Sequence, residues 1–245
     1  MSLPPQLPDK SFPDTRWSFV IRLRSDDSGV ARRALESIFS AYRYPLYSYL
    51  RTSQMSHEDA EDVLQGFFEK MLRTDSLGTA DPMRGKLRTF LLTALSRFQS
   101  NFERGEQRRQ HRVCGDGDLA HADEARWQQE QHSTEDSPEQ AFDRRWGSDL
   151  IALVRTRLRA DYSGREKLPL HDALSPLLSS HKPETEVFSD IALRLRMTEN
   201  ALRLALSRLR KDFGRLLLRE VKLTLDEGDD ARQEIRHLLE LFEQK

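Results

Sequence analysis

The sequence predicts an all-α protein of two helical domains joined by an acidic flexible linker. Apolar residues recur at three- and four-residue steps through most of the chain, the spacing of amphipathic helices. Sustained alternation of apolar and polar residues, the mark of a strand, is absent. Gly (11) and Pro (10) are scarce among 245 residues, and Pro gathers at the N-terminus, so few positions break a helix.

Taken in order, residues 1–14 are Pro-rich and predicted disordered. A first helical domain spans 15–112, a length that suits one small domain. Trp17, Val20, Ile21 and Leu23 open an apolar stripe, which Leu35, Ile38, Phe39, Tyr42, Leu46, Tyr49 and Leu50 continue. Ser56 with Asp59 marks a helix start with acidic residues in its first turn, predicting a helix from about His57 to Leu72. Residues 74–86 hold two Gly and a Pro and read as a loop. A long helix follows from Lys86 or Leu87 to about Arg109. Residues 113–137 are acidic and poor in apolar residues, the composition of a mobile linker. Ser137-Pro138-Glu139 reads as an N-cap with Pro at the first helical position. The second domain, 138–221, starts with a helix to about Tyr162, followed by one over about His171–Ser179. The tail, 222–245, is acidic and amphipathic.

Bulk properties narrow the function. Lys and Arg number 39 against 40 Asp and Glu, so net charge indicates no partner. No apolar run approaches the roughly 20 residues that span a bilayer, and the N-terminus lacks a signal peptide's basic start and apolar stretch. A cytoplasmic protein without membrane insertion is expected. The single cysteine, Cys114, fits a reducing compartment, and scattered His residues leave no zinc-ligand set. No Walker loop, HExxH or nucleophile elbow occurs, so neither enzymatic activity, catalytic residue, metal nor cofactor is expected.

Three segments carry functional signal. Residues 187–211 read as a short helix, a tight turn at Arg196–Met197 and a second helix capped by Thr198. Ile191, Ala192, Leu195, Leu202, Leu206 and Leu209 are spaced to pack the two helices together. Asn200, Arg203, Ser207 and Arg208 lie on the outer side, with Arg210 and Lys211 beyond, as in a helix-turn-helix whose second helix enters the major groove. Between Asp190 and Lys222, nine basic residues stand against four acidic ones, a balance suited to phosphate. In the second segment, Lys86, Arg88, Arg97, Arg104, Arg108, Arg109 and Arg112 interleave with Phe90, Phe98 and Phe102 and are opposed only by Glu103 and Glu106, a pattern that can track a backbone and stack on unpaired bases. Phe at helical spacing is more often core, and Phe90 is placed there; Phe98 is retained as a nucleic-acid contact. In the third segment, Glu58, Asp59, Glu61 and Asp62 gather within a turn and a half, which alone reads as an ordinary solvated helix start.

In this order, the segments resemble the extracytoplasmic-function sigma factors of the sigma-70 family. Thr15-Arg-Trp-Ser, Tyr44-Pro-Leu-Tyr, Arg88-Thr-Phe-Leu-Leu-Thr-Ala-Leu and Pro138-Glu-Gln-Ala-Phe-Asp-Arg-Arg-Trp resemble a planctomycete-type subgroup. The resemblance covers about 15–112 and 138–221. It implies that Asp59, Asp62 and Gln65 dock on the β′ subunit of bacterial core RNA polymerase. It implies that the 76–86 loop and the helix after it, with Arg84, Lys86, Arg88, Arg97, Phe98, Arg104, Arg108 and Arg109, capture and melt the minus-10 element. Thr198, Asn200, Arg203, Ser207, Arg208 and Lys211 would read the minus-35 element. The acidic linker would thread toward the polymerase active site and RNA exit path. Core polymerase, with its β′ and β subunits, and promoter DNA are the implied partners; an anti-sigma factor or kinase is a further regulator to be considered. Four positions depart from the pattern: Arg196 stands where Gly is usual, Phe90 where Trp is, Arg97 where Asn is common, and Gly66 falls inside the docking helix, where it costs roughly 1 kcal/mol against Ala. The tail exceeds the minimal sigma pattern and is expected either to mask the helix-turn-helix or to dock a regulator. A stand-alone helix-turn-helix regulator is the alternative, and it would leave Asp59, Asp62 and Gln65 without a role.

Overall fold

A computed structural model of the chain describes residues 28–73, 86–103, 117–130, 136–179, 185–225 and 229–243. The described residues are helical, without a strand. In chain order the helices are α1 (Ser28–Thr52), α2 (His57–Arg73), α3 (Leu87–Glu103), α4 (Gly117–Gln129), α5 (Pro138–Gly164), α6 (Leu168–Leu174), α7 (Thr185–Leu195), α8 (Glu199–Thr224) and α9 (Ala231–Glu243). A short 3-10 turn, Ser175–Leu177, follows α6. The chain divides into two units, one of Met1–Asp149 with Lys222–Lys245 and one of Leu150–Val221. Helices α5 and α8 contribute residues to both. The N-terminal segment 1–27, the 74–85 loop, Cys114, and Arg84, Arg104, Arg108, Arg109 and Arg112 lie outside the described residues.

The core of the first unit follows the apolar stripes. Tyr42, Leu46, Tyr47 and Leu50 of α1 are buried, as are Ala60, Val63, Leu64, Phe67 and Phe68 of α2. Helix α3 buries Leu87, Leu91, Leu95, Phe98 and Phe102, a stripe that stays on one face of a 3.6-residue helix. Phe67 and Phe98 meet edge to face at 6.0 Å. Ser56 caps α2: its hydroxyl accepts the Asp59 N–H at 3.1 Å and donates to the Asp59 carboxylate at 3.0 Å. Ser137 caps α5 likewise, accepting the Gln140 N–H at 3.2 Å while the Gln140 side chain accepts the Ser137 N–H at 2.9 Å.

Helix α4 corrects the expectation of a flexible linker over 113–137. Its apolar content is too small for a hydrophobic stripe, and polar pairs hold it. Arg43 reaches Asp123 at 2.8 Å, and Arg51 pairs with Glu124. Arg126 binds Asp149 at 2.6 Å and lies 3.7 Å from the centre of the Tyr44 ring. Just beyond the helix, Glu130 accepts the Tyr44 hydroxyl at 2.6 Å and pairs with Arg145 at 2.7 Å. Burial works against ionisation of Glu130, but Tyr44, Arg126 and Arg145 together outweigh it and hold its carboxyl below the usual range. These acidic charges are spent on the protein's own arginines.

Burial pushes the Asp123 carboxyl up to about 6; Arg43 and Arg126 draw it down and Glu61 adds to the rise. An unfolded chain releases this proton near 3.9. Between those values the folded state binds more protons, so this contribution to stability is full below about pH 4 and lost as pH rises through about 6. Asp123→Asn approximates the protonated acid. Unfolding by urea at pH 4 and pH 7.5 should show the variant gaining on the wild type as pH rises, by at most about 3 kcal/mol. An unchanged difference between the two proteins would contradict the assignment.

In the second unit, Leu158 and Tyr162 of α5, Leu174 of α6, Phe188, Ile191 and Ala192 of α7, and Leu202, Leu206 and Leu209 of α8 form one core. Helix α6 starts and ends earlier than the predicted 171–179 because Pro169 occupies its first turn and Pro176 lies in the 3-10 turn after it. The Tyr162 hydroxyl donates to Asp212 at 3.2 Å, and Arg210 donates to the Leu177 carbonyl at 3.0 Å, tying α8 to α5 and to the 3-10 turn.

Candidate nucleic-acid interface

The interface is built on α7, its turn and the first half of α8. Ile191, Ala192, Leu202, Leu206 and Leu209 are buried together, as their spacing predicts, while Leu195 is partly buried. Helix α7 closes with the Met197 N–H bonding the Ala192 carbonyl at 2.9 Å and the Arg196 N–H bonding that of Leu193 at 3.3 Å. This is a Schellman cap, and it puts Arg196 at φ 52°, in the left-handed region. The same closure recurs at Gln54 and Glu166, with φ 65° and 58°. The turn is thus built with an arginine where glycine is the cheaper residue. Arg196→Gly should raise the unit's stability by up to about 1 kcal/mol, the left-handed penalty less glycine's entropy. Thermal unfolding checks this; a loss of stability would mean that the arginine side chain compensates for its backbone.

Thr198 caps α8, its hydroxyl accepting the Ala201 N–H at 3.2 Å. That bond gives Thr198 a structural role at the mouth of the candidate surface. Asn200, Arg203, Ser207, Arg208 and Lys211 are all exposed on α8. Arg203 lies 4.6 Å from the centre of the Phe188 ring and 3.6 Å from Glu199, which in turn accepts the Ser189 hydroxyl at 2.8 Å. Its guanidinium is therefore oriented before any ligand arrives. Arg208 and Lys211 have no ion-pair partner among the described residues. Across Leu150–Val221 the sequence carries 14 Lys and Arg against nine Asp and Glu, so the excess positive charge lies in the unit that bears this face.

The second basic segment is placed differently from its prediction. Arg97 is exposed. Arg88 is only 6% exposed: it pairs with Asp143, meets Glu234 at 2.7 Å and lies 5.0 Å from the centre of the Trp146 ring. Lys86 also pairs with Glu234. Phe98 is 3% exposed, against Phe67 and under the Lys70 ammonium at 5.6 Å. Arg88 and Phe98 are therefore inside the first unit rather than on its surface. The i, i+4, i+8, i+11, i+15 run of Leu87, Leu91, Leu95, Phe98 and Phe102 held this signal: Phe98 falls on the stripe, while Phe90 lies beside it and is only partly buried.

The tail belongs to the first unit. Helix α9 buries Ala231, Glu234, Leu238 and Leu241, and a Cβ added to Gly147 would meet Phe242 at 3.2 Å and Leu238 at 3.3 Å. The small residue at 147 lets α9 approach α5. A cavity of about 410 Å³ borders Lys86, Glu234 and His237.

On α2, Asp59, Asp62 and Gln65 stand at three-residue intervals. Asp59 is partly buried and engaged in the cap, Asp62 is exposed, and Gln65 donates to Glu69 at 3.2 Å. No group of His, Cys, Asp and Glu among the described residues could hold a metal ion, and no helix there is long and apolar enough to cross a membrane. No family model, curated protein or solved structure matches the chain.

Proposed function

We propose that the chain is a transcription initiation factor of the extracytoplasmic-function sigma type. It binds bacterial core RNA polymerase through the Asp59, Asp62 and Gln65 face of α2 and reads promoter DNA with α8. It does no chemistry with its own side chains and acts in the cytoplasm without a cofactor. The observation that carries the nucleic-acid part is the outer face of α8, where Asn200, Arg203, Ser207, Arg208 and Lys211 are exposed together behind a Schellman turn and a Thr198 cap. Such a helix presents donors to base edges from its first turns and cations to phosphates further along. The polymerase part is supported by the motif order and by the exposed carboxylate of Asp62. Strand melting rests on Arg97 and on Arg84, Arg104, Arg108 and Arg109, because Arg88 and Phe98 are engaged inside.

That internal engagement also favours a second reading, a stand-alone helix-turn-helix regulator that binds duplex DNA without opening it. Transcription separates the two. Core polymerase supplied with the chain and genomic fragments should make transcripts with discrete 5′ ends that core polymerase alone does not make. Asp62→Ala should weaken the polymerase complex by on the order of tenfold, measured by fluorescence titration, while leaving duplex affinity unchanged. Discrete duplex binding without any polymerase-dependent transcript would support the regulator.

A further inference from the structure

One apolar residue interrupts the polar face of α8. Leu204 is 62% exposed, in the helix whose neighbouring Leu202, Leu206 and Leu209 are buried. Single exposed leucines are ordinary on protein surfaces. The place of this one is not. At 3.6 residues per turn, Leu204 lies between Asn200 one turn before and Arg208 one turn after, flanked by Arg203 and Ser207. It is the sixth residue of α8, within the part of a recognition helix that approaches base edges. Among the exposed residues from Asn200 to Lys211, it alone has a side chain that can make no hydrogen bond and carries no charge.

We propose that Leu204 is a specificity determinant that reads the 5-methyl group of a thymine in the major groove. The proposal deepens the nucleic-acid reading above and rests on it. The methyl group is the one apolar feature that a base pair presents in that groove, and aliphatic contact is how proteins recognise it. The cations that flank Leu204 bring phosphate to either side, so a docked duplex would bury both the leucine and the methyl. The positive charges of this face attract any duplex through its phosphates, whereas Leu204 adds affinity only where a thymine sits beneath it. It also disfavours bases whose polar edges it would leave without a partner.

The test begins by selecting binding duplexes from a random library with the full chain, alone and in complex with bacterial core RNA polymerase. Each thymine of the selected site is then replaced singly by deoxyuridine, which removes only the methyl group. One replacement should lower wild-type affinity about fourfold, the factor that corresponds to burying one such group. Leu204→Ala should bind the two duplexes within twofold of each other, and Leu204→Met should keep the discrimination. Because Leu204 lies outside the core, thermal unfolding of all three proteins should coincide. Wild-type indifference to every uracil replacement, or unchanged discrimination by Leu204→Ala, would overturn the proposal while leaving DNA binding intact. If neither the chain nor its polymerase complex enriches any sequence, the nucleic-acid reading falls, and the proposal with it.

Discussion

Replacing Arg203 and Arg208 together by alanine should lower affinity for the cognate duplex by about two to four orders of magnitude, at roughly 1–3 kcal/mol for each side chain. The two residues should fail in different ways. Arg203 is oriented by Phe188 and Glu199, so its loss should also cost the fold about 0.5–1 kcal/mol. Arg208 has no ion-pair partner among the described residues, so Arg208→Ala should leave the unfolding temperature where it was. Each cation that contacts phosphate should also contribute about one unit to the slope of log affinity against log salt. Filter binding at several salt concentrations, beside thermal unfolding, separates these effects. A fall in Arg208→Ala affinity matched by a fall in its unfolding temperature would place Arg208 in the fold instead.

Trp146→Ala should destabilise the first unit by about 3–5 kcal/mol, the range for removing a fully buried large aromatic. The side chain has no exposed surface, and the Arg88 guanidinium lies over its ring. Arg88 in turn pairs with Asp143 and Glu234, so truncating the indole removes the platform beneath the residue that links α3, α5 and α9. Burial already pushes the Asp143 carboxyl up against the pull of Arg88, and a displaced Arg88 would leave that carboxylate without its main partner. Trp146→Phe should cost less, about 1–2 kcal/mol, since a smaller aromatic ring remains and the indole N–H has no hydrogen-bond partner among the described residues. Urea unfolding gives both values, and limited proteolysis should cut at α9 first in the alanine variant. Equal losses for Ala and Phe would mean that the indole nitrogen, not the ring, is what the site needs.

The contrast between segments follows from what each uses to fold. Helices α2, α3, α5 and α8 were legible because each carries an apolar stripe long enough to reveal its period, as Leu202, Leu206 and Leu209 do. The Ser56, Ser137 and Thr198 caps were legible because a cap is local. Helix α4 was not. Its partners Arg43, Arg51, Tyr44 and Asp149 lie far along the chain, and ion pairs leave no periodic trace. Arg88 shows the same limit: a basic residue in a basic, aromatic segment suggests a nucleic-acid surface until its pairing with Asp143 and Glu234 is seen. Leu204 is inconspicuous in the sequence for the opposite reason. A leucine at helical spacing reads as core, and only its exposure sets it apart.

The most direct test of the central claim is size-exclusion chromatography of the purified full chain mixed with bacterial core RNA polymerase, with Asp62→Ala in parallel. The account predicts that the wild-type chain co-elutes with the polymerase in one-to-one ratio and that the variant leaves a larger free fraction. Separate elution of the wild-type chain and the polymerase at micromolar concentration would contradict it.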